Sequence, residues 1–285
     1  MLSRQQLFWH RDPYDLPGSD GLFLRAVRDN CAYHMAHCPA YRSLAQALSF
    51  SPDQLSTVDD LARVPLLPTL FYKRHALFSM PPRRMAMRVT SSGTSGKFSQ
   101  IGFDWGCVFA EIPMVLRLGW IHRLISPVPA HCVVLGYRPN RHNRTGVTRT
   151  MFGLTFFSPP LSRTYALHYQ DGEYVPDLDR VVRALDRLGR SRFPTRIVGF
   201  PSYLWFGLKR MEELGLSVRL PRGSRIHLVG GWKQHYAQQV DKPVLYDLVW
   251  RVLGIPEEHI HESFGAVEHP IFFNTCPRPH FHIPI

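Results

Sequence analysis

The sequence predicts an α/β fold with a mostly parallel sheet, because short apolar runs alternate with helical patterns through its second half. Residues 132–136, 196–199 and 226–229 are apolar enough for buried strands, and helical periodicity at 179–188 and 202–214 separates them. Strands that are joined through helices run parallel, and such sheets bind ligands at the loops that leave the carboxyl ends of the strands.

The chain is expected to divide into a helical lead-in and strap over residues 1–84 and an α/β core over residues 85–285. Residues 20–48 have helical spacing, and Ser51 and Thr57 are typical helix starts. The core is expected to bind the ligand, because the candidate motifs lie within it.

Local patterns place further elements. The proline-broken apolar segment 64–72 is predicted to cross the surface as an extended strap. Apolar runs at 85–89 and 100–103 flank a Ser/Gly-rich segment and predict a strand, a loop and a second strand. Helical patterns at 105–124 and 244–253 complete the core.

The composition of the 285 residues is that of a globular protein in a reducing compartment. Hydrophobic residues make up 45% and aromatic residues 12% of the chain, which argues against disorder. No stretch approaches the roughly 20 apolar residues of a membrane span, and the start carries no apolar signal core. The five cysteines are scattered and form no C-x-x-C pair, so we expect buried free thiols and a cytoplasmic protein.

The formal net charge of +12 raises the question of nucleic-acid binding. Basic residues cluster at 83–84 and 138–144, but without interleaved aromatic residues or a DNA-reading motif. We expect solvated basic loops there, with an acidic partner protein or an anionic substrate as the alternative. Nucleic acid is therefore not an expected partner.

The segment from Val89 to Ser99 carries the strongest functional signal in the chain. Its hydroxyls at Ser92, Thr94 and Ser95 alternate with glycines, which let backbone N–H groups come close to an anion. The loop of the common nucleoside triphosphatases requires G-x-x-x-x-G-K-[ST], and this segment departs from that pattern. On its own, the segment fits both a nucleotide triphosphate site and a plain surface turn.

Three further loops follow predicted strands, at 199–202, 230–233 and 263–269. Glycines there leave the backbone bare for a flat ligand, Phe264 can stack on it, and Glu268 can hold Mg²⁺. Each feature also has a plainer explanation, as a turn glycine, a core tryptophan or a surface acid. The order of the loops along the chain favours one nucleotide site.

These motifs resemble those of the adenylate-forming ligase superfamily, in particular the acyl-protein synthetases of bacterial bioluminescence fatty-acid reductases. Residues 91–99 are similar to the family's phosphate loop, Ser-Ser-Gly-Thr-Thr-Gly-x-x-Ser, with Ser95 in place of the second threonine. Residues 230–233 match its Gly-Gly-Trp-Lys segment, and Phe264 to Glu268 match its Tyr-Gly-x-x-Glu segment. The resemblance implies the large N-terminal domain of such a ligase.

The resemblance covers roughly residues 60–285, and the sequence departs from the family in two respects. Ser99 stands where most superfamily members have a lysine, and Lys97 lies two residues earlier. Beyond the point that corresponds to Ile285, the family continues with an aspartate for the ribose and a mobile C-terminal domain. That domain carries a catalytic lysine and an acceptor cysteine. We therefore expect the mobile domain to be absent, in a truncated copy or one part of a split enzyme.

The resemblance implies an enzyme that uses ATP and Mg²⁺ to activate a carboxylic acid, in this family a fatty acid, as an acyl-adenylate for transfer to a thiol. The implied catalytic residues are Thr94 and Glu268, with Glu268 also the metal ligand. The implied nucleotide-binding residues are Ser91, Ser92, Gly93, Thr94, Ser95, Gly96, Lys97, Ser99, Gly230, Gly231, Trp232, Lys233, Ser263, Phe264 and Gly265. The implied partners are the carboxylic acid and an acyl-accepting or C-terminal-domain-like protein.

The stretch 276–284 resembles the family's Cys…His-x-Pro segment, and it also raises a metal question. Cys276, His280 and His282 could supply three ligands to Zn²⁺. A structural zinc site requires four, so a packed thiol and polar strand-end histidines are the default.

Two other functions stay open beside the ligase. One is a catalytically inactive nucleotide- or acyl-binding remnant of the same fold, and the other, suggested only by charge, is a nucleic-acid-binding protein. Trp205, Phe206 and Leu208 likewise fit either an acyl pocket or the core.

Overall fold

The computed structural model describes residues 3–91, 98–143, 145–275 and 280–284. They form two compact units. The first unit comprises Met1–Ile121, Ala266–Ile271 and Ile283–Ile285, and the second comprises His122–Gly265 and Phe272–His282. The functional division into a lead-in and a ligand-binding core stays a prediction.

Helices dominate the first unit. Its α-helices, within the described residues, are α1 (Ser3–Phe8), α2 (Leu16–His37), α3 (Pro39–Ala47), α4 (Thr69–Arg74) and α5 (Trp105–Ile121). Residues 20–48 form two helices because Pro39 favours an extended conformation at the preceding Cys38, where φ is −119° and ψ is 100°. The helix starts expected at Ser51 and Thr57 are confirmed, and each begins a short 3₁₀ helix with a capping box.

The strap expected over residues 64–72 is only partly extended. Residues 65–68 have no regular secondary structure, but α4 begins at Thr69. The expectation is wrong there because Pro68 takes the N-cap position of α4, where a proline interrupts no helical hydrogen bond.

The two strands predicted on either side of the Ser/Gly-rich segment are confirmed. The strands β1 (Met87–Thr90) and β2 (Gln100–Phe103) pair antiparallel, with Met87 opposite Phe103. This register brings the two ends of the intervening segment together at one end of the hairpin.

A mixed, mostly parallel sheet forms the centre of the second unit, as the sequence predicts. The strands that form it, within the described residues, are β3 (Ala130–Tyr137), β4 (Pro160–Gln170), β5 (Glu173–Pro176), β6 (Thr195–Gly199), β7 (Arg225–Val229), β8 (Ile260–Ala266), β9 (His269–Thr275) and β10 (Phe281–His282). They lie in the order β10-β9-β8-β7-β6-β3-β4-β5. The strands from β8 to β4 in this order run parallel, whereas β5 and β10 pair antiparallel with β4 and β9.

Helices connect these strands and close the core. In the described part of the second unit they are α6 (Gly146–Leu154), α7 (Leu178–Leu188), α8 (Pro201–Glu213) and α9 (Lys242–Leu253). The helical pattern predicted at 179–188 is confirmed, because α7 carries a buried stripe of Val181, Leu185 and Leu188. Apolar residues of β3, β6 and β7 meet those of α7, α8 and α9 in one core. None of the helices in the described ranges is long and apolar enough to cross a membrane.

Gly199 fixes the end of β6 against β3. Its φ is +144°, and a Cβ there would lie 2.4 Å from the carbonyl oxygen of Leu135. The next amide, that of Phe200, donates to the same carbonyl oxygen at 3.0 Å. Glycine is therefore required for the close approach that turns the chain from β6 into α8.

Candidate active site

Two serines close the base of the Ser/Gly-rich loop. The amide of Ser91 donates to the carbonyl oxygen of Ser99 at 3.1 Å, and the amide of Ser99 donates to the Ser91 hydroxyl at 2.9 Å. These two bonds continue the β1–β2 pairing by one further step. The remaining predicted phosphate-loop residues lie outside the described residues: Ser92, Gly93, Thr94, Ser95, Gly96 and Lys97.

Ser99 carries a polar atom that lacks a partner. Its side chain is 0% exposed, and its hydroxyl oxygen forms no hydrogen bond with any described residue. A buried hydroxyl that forms no hydrogen bond costs about 1–3 kcal/mol. The hydroxyl is therefore suited to donate to an acceptor brought by the loop or by a bound phosphate.

The Gly-Gly-Trp-Lys segment at residues 230–233, here called the wall, follows β7 and consists of a turn, an open backbone and a buried ring. Gly230 has a φ of +78°, which an L-residue rarely adopts. A Cβ on Gly231 would meet no atom within 4 Å, so one face of this backbone is open. Trp232, by contrast, is only 7% exposed and precedes the 3₁₀ helix Lys233–Gln238. Gly231 is thus the accessible member of the motif, and Trp232 supports it from inside.

The ring of His235 packs against α8 near this wall, a contact that the sequence analysis does not identify. Its centroid lies 5.7 Å from that of Tyr203 and 4.9 Å from that of Phe206, both nearly perpendicular. Of the acyl-pocket candidates on α8, Leu208 belongs to the core, whereas Trp205 and Phe206 remain half-buried. The half-buried pair is therefore the part of that set that can still meet a ligand.

The loop expected at 263–269 is mostly strand, so that expectation is wrong. β8 continues through Ala266, and a two-residue turn leads into β9. The reason is pairing on both sides, because Ser263 lies opposite Val229 of β7 and β9 follows on the other side. The pairing also places the residues after Val229 beside Phe264, so the structure brings the ends of these two candidate segments together.

Phe264 and Ser263 have different environments on β8. The side chain of Phe264 is 50% exposed, and its ring stacks on Phe273 with centroids 6.0 Å apart. Ser263 is buried, and its hydroxyl donates to the Asn274 Oδ1 at 2.5 Å. Phe264 is therefore available for stacking on a ligand, whereas the Ser263 side chain is engaged inside the protein.

A buried histidine completes the network around Ser263. The Nε2 of His227 lies 2.5 Å from the Ser263 hydroxyl oxygen. Because that hydroxyl gives its only hydrogen to Asn274, the His227 Nε2 carries the hydrogen of this contact. Burial, followed by the neighbouring His261, lowers the pKa of His227 to about 3, so its ring is neutral. His227 is recognised only from the pairing of its strand with β8, and the sequence alone does not show that pairing.

Glu262 joins β8 to α9. One oxygen accepts from the Tyr246 hydroxyl at 2.5 Å, and the other lies 2.6 Å from the Lys242 Nζ. Burial and then the Glu262 carboxylate raise the pKa of Tyr246, which keeps its hydroxyl a donor. This carboxylate, which the sequence analysis misses, positions the start of α9 beside the strand that carries Phe264.

Glu268 lies in the turn between β8 and β9 and belongs to the first unit, as do Ser91 and Ser99. Its side chain is half-buried. Burial raises the pKa of Tyr72, with Cys38 and then Glu268 adding to the effect, so this carboxylate is within electrostatic range of the Tyr72 hydroxyl. A half-buried carboxylate in a turn suits the oxygen ligation that Mg²⁺ prefers.

The zinc alternative finds no support within the described residues. No group of three or more His, Cys, Asp or Glu side chains gathers there at a distance that suits a metal ion. Cys276 lies outside the described residues, and His280 and His282 are exposed.

Known proteins resemble the chain in both sequence and structure. It is 24% identical over 259 residues to the long-chain-fatty-acid–luciferin-component ligase of Vibrio harveyi, across 88% of this chain and 63% of that protein. The corresponding ligase of Aliivibrio fischeri is 23% identical over 260 residues, with the same coverage. The chain thus spans 63% of the length of these curated relatives.

Solved structures share the fold. The crystal structure of 2-hydroxyisobutyryl-CoA ligase in the postadenylation state with R3-HIB-AMP superposes with a TM-score of 0.63 and 17% identity, across 90% of this chain and 50% of that one. An open conformation of the same ligase with 2-HIB-AMP and CoA gives a TM-score of 0.61 across 56% of that chain. The α/β architecture is therefore that of these ligases.

The family match agrees with the motifs. Residues 4–278 match the family described as "Acyl-protein synthetase, LuxE", which is nearly the whole chain. Together with the Ser/Gly loop, the Gly-Gly-Trp-Lys turn and the Phe264–Glu268 segment, this match shows that the chain belongs to the LuxE acyl-protein synthetase family.

Proposed function

We propose that the chain uses ATP to activate a carboxylic acid, most simply a fatty acid, as an acyl-adenylate that then passes its acyl group to a thiol. The observation that carries this proposal is the Ser/Gly loop, whose base is closed by Ser91 and Ser99 and whose flank holds the Ser99 hydroxyl, which has no partner among the described residues. Family membership and the adenylate complexes of the structural neighbours support the same reaction class.

The proposed reaction has two steps. A carboxylate oxygen attacks the α-phosphorus, the bond from that phosphorus to the bridging oxygen breaks, and pyrophosphate leaves with the electron pair. A thiolate then attacks the acyl carbonyl carbon, and AMP leaves. The first step brings an anion onto a polyanion, so its barrier falls mainly through hydrogen-bond donors that neutralise phosphate charge.

The proposal assigns the donors to the Ser/Gly loop. Ser92, Thr94 and Ser95 hold the β- and γ-phosphates, with Gly93, Gly96 and backbone N–H groups completing the cradle. Ser99 donates its hydroxyl from the buried side, and Lys97 adds a positive charge. Glu268 holds Mg²⁺, which would screen the phosphate charge when bound.

The proposal assigns the nucleotide surface to the segment after β7 and to the end of β8. Phe264 stacks on the adenine with its exposed ring. Gly265 has no side chain, so the ribose can lie close to the backbone there. The open face of Gly231, next to Gly230, forms the wall between nucleotide and acyl group. The proposal gives Trp232 and Ser263 a supporting role, because both side chains are buried.

Partners and location follow from the same proposal. The substrate is a carboxylic acid, and the acceptor is the thiol of an acyl-accepting protein. The cysteines within the described residues, Cys31, Cys38, Cys107 and Cys132, are free thiols, which supports a reducing compartment such as the cytoplasm.

Exchange of labelled pyrophosphate into ATP tests the proposed function. The assay uses a panel of carboxylic acids of increasing chain length, with Mg²⁺ present or removed by a chelator. We expect exchange that requires both the acid and Mg²⁺ and that has an optimum chain length. Tight ATP binding without any exchange would favour the inactive nucleotide-binding remnant, and an absence of ATP binding would contradict both.

A further inference from the structure

Three half-buried arginines lie in register across neighbouring strands of the second unit. Cys132 of β3 lies opposite both Arg163 of β4 and Arg196 of β6, and Arg196 lies opposite Arg225 of β7. Residues that pair directly in a sheet point to the same face, and neighbouring strands are about 4.8 Å apart. Arg163, Arg196 and Arg225 therefore form one line across a single face, the arginine row.

The described contacts of Arg163 and Arg196 are with hydroxyls and aromatic rings, and Arg123 adds a further positive charge near Arg225. The Arg163 Nε donates to the Thr155 hydroxyl at 2.9 Å, and the Arg196 Nε donates to the Ser158 hydroxyl at 3.1 Å. The Arg163 guanidinium also lies over two rings, 5.3 Å from the centroid of Phe152 and 4.7 Å from that of Phe156. These neighbours cover part of the row but carry no negative charge that could neutralise its arginines.

The far end of the row meets an imidazole. The Arg225 Nη1 lies 3.2 Å from the His261 Nε2, which accepts from it. Burial and then Arg225 lower the pKa of His261 to about 4, so the ring is neutral at neutral pH. His261 thus satisfies one donor but supplies no counter-charge.

The row has positive charge and hydrogen-bond donors that the described residues do not satisfy. Among the described residues, no carboxylate forms an ion pair with any of its three arginines. The Arg163 Nη2 is buried and forms no hydrogen bond with any residue in the described ranges. Burial, and after it the neighbouring Arg225, lower the pKa of Arg196 to about 10, so both disfavour its charged form. Half-buried charges without a partner are unfavourable, and a bound anion removes that penalty.

We propose that the arginine row binds a phosphate-type oxyanion, either a free ion or the phosphate group of a small ester. A guanidinium group can donate two parallel hydrogen bonds to two oxygens of one phosphate. Three guanidinium groups in a line can therefore balance more than one negative charge. Phe152 and Phe156 cover Arg163, and Ser158 bonds to Arg196, so the partly covered row suits a compact ion better than a nucleic-acid backbone.

This site is separate from the proposed nucleotide site. Arg225 is the first residue of β7 and Arg196 is the second residue of β6, whereas Gly230 follows the last residue of β7. The arginine row therefore lies toward the amino ends of the strands, and the nucleotide wall lies at their carboxyl ends. The inference goes beyond the proposed function, because that reaction requires no second anion site.

Thermal unfolding and calorimetric titration test the proposal with inorganic phosphate, pyrophosphate and glycerol 3-phosphate, each against sodium chloride at matched ionic strength. We expect at least one oxyanion to raise the Tm of the wild type and of Arg183→Gln, a control that removes an exposed charge from α7. Arg196→Gln and Arg225→Gln should bind that anion at least tenfold more weakly. If Arg196→Gln fails to fold, Arg225→Gln decides the question alone.

Saturating ATP separates the two anion sites. Binding to the arginine row should persist in excess ATP, whether or not ATP–pyrophosphate exchange occurs. A response to inorganic phosphate identifies a free ion, and a response to glycerol 3-phosphate alone identifies an ester. Equal responses in the wild type and both row variants, displacement of all binding by ATP, or variants that lose affinity for an oligonucleotide while no small oxyanion binds would each overturn the proposal.

Discussion

The amide of Ser99 donates to the hydroxyl of Ser91 at 2.9 Å across the base of the Ser/Gly loop, while the Ser91 amide donates to the Ser99 carbonyl oxygen. The pair fixes both ends of the loop at the end of the β1–β2 hairpin. Pre-ordering the ends reduces the entropy that the loop must lose when it binds a phosphate chain. Ser99 thus supports the loop through its backbone and leaves its hydroxyl for another partner.

Replacing Ser99 with alanine separates a structural role from a binding role. The change removes a buried hydroxyl that has no partner among the described residues, so the free energy of unfolding should stay the same or rise by up to about 1–2 kcal/mol. ATP affinity should nevertheless fall severalfold, because the hydroxyl donates to phosphate in the proposed complex. Urea unfolding and nucleotide titration measure the two effects, and a large loss of stability would show that the hydroxyl bonds within the loop.

Thr94→Val should weaken ATP binding and leave the fold intact. A hydrogen bond to a charged phosphate is worth about 1.5–3 kcal/mol, which corresponds to a loss of affinity of roughly tenfold or more. Thr69→Val, an exposed threonine on α4, is the matched control and should bind ATP like the wild type. Unchanged ATP affinity in a folded Thr94→Val protein would remove Thr94 from the site.

Glu268→Gln tests the Mg²⁺ assignment. Glutamine keeps the size of the side chain but removes the anionic oxygen that Mg²⁺ prefers. Binding of ATP with Mg²⁺ should weaken, whereas binding of AMP without metal should change little. Equal losses for both ligands would mean that Glu268 maintains the turn and does not hold the metal.

Gly199→Ala and Gly231→Ala should affect different properties, the first the stability of the fold and the second the affinity for nucleotide. At Gly199 an added methyl group meets the Leu135 carbonyl oxygen at a positive φ, so we expect the free energy of unfolding to fall by at least about 1–3 kcal/mol. At Gly231 the methyl group meets no atom within 4 Å, so stability should hold while nucleotide affinity drops. Urea unfolding and ATP titration of both variants check this pair, and a stable Gly199→Ala protein would contradict the close approach.

The sequence predicts elements whose signal is local and misses those set by distant pairing. The β1–β2 hairpin and the α7 stripe follow from nearby residues, and the structure confirms both. β4 is missed because Arg163 and other polar residues interrupt its apolar pattern. The end of β8 is predicted incorrectly because its pairing with β7 and β9 cannot be inferred from the residues of β8 alone.

The same limit applies to the sites. Motif spelling predicts roles for the Ser/Gly loop and for Glu268, because the residues within each motif are close together in the chain. The contact of His227 with Ser263 joins residues 36 positions apart, and the arginine row depends on the register of four strands. Spacing along one sequence carries no information about such register, so both features emerge only from the fold.

The neutral His227 makes stability depend on pH. Its pKa lies near 3 in the folded protein against an ordinary value of 6.5, so below pH 6.5 the unfolded chain binds a proton that the folded protein does not. Stability should therefore be complete above pH 6.5 and fall as the pH drops, by up to about 1.4 kcal/mol per pH unit for this proton. His261, with a pKa of about 4, adds to the slope in the same direction.

Urea unfolding between pH 7.5 and 4.5 measures this slope in the wild type, in His227→Gln and in His280→Gln. Glutamine at 227 keeps an N–H donor for Ser263 but does not titrate, so its slope should be smaller than that of the wild type by close to one proton. His280→Gln removes an exposed histidine and should leave the slope unchanged, while carboxylates affect all three proteins alike. Parallel curves for the wild type and His227→Gln would show that His227 is protonated in the folded protein and that the Ser263 network has another arrangement.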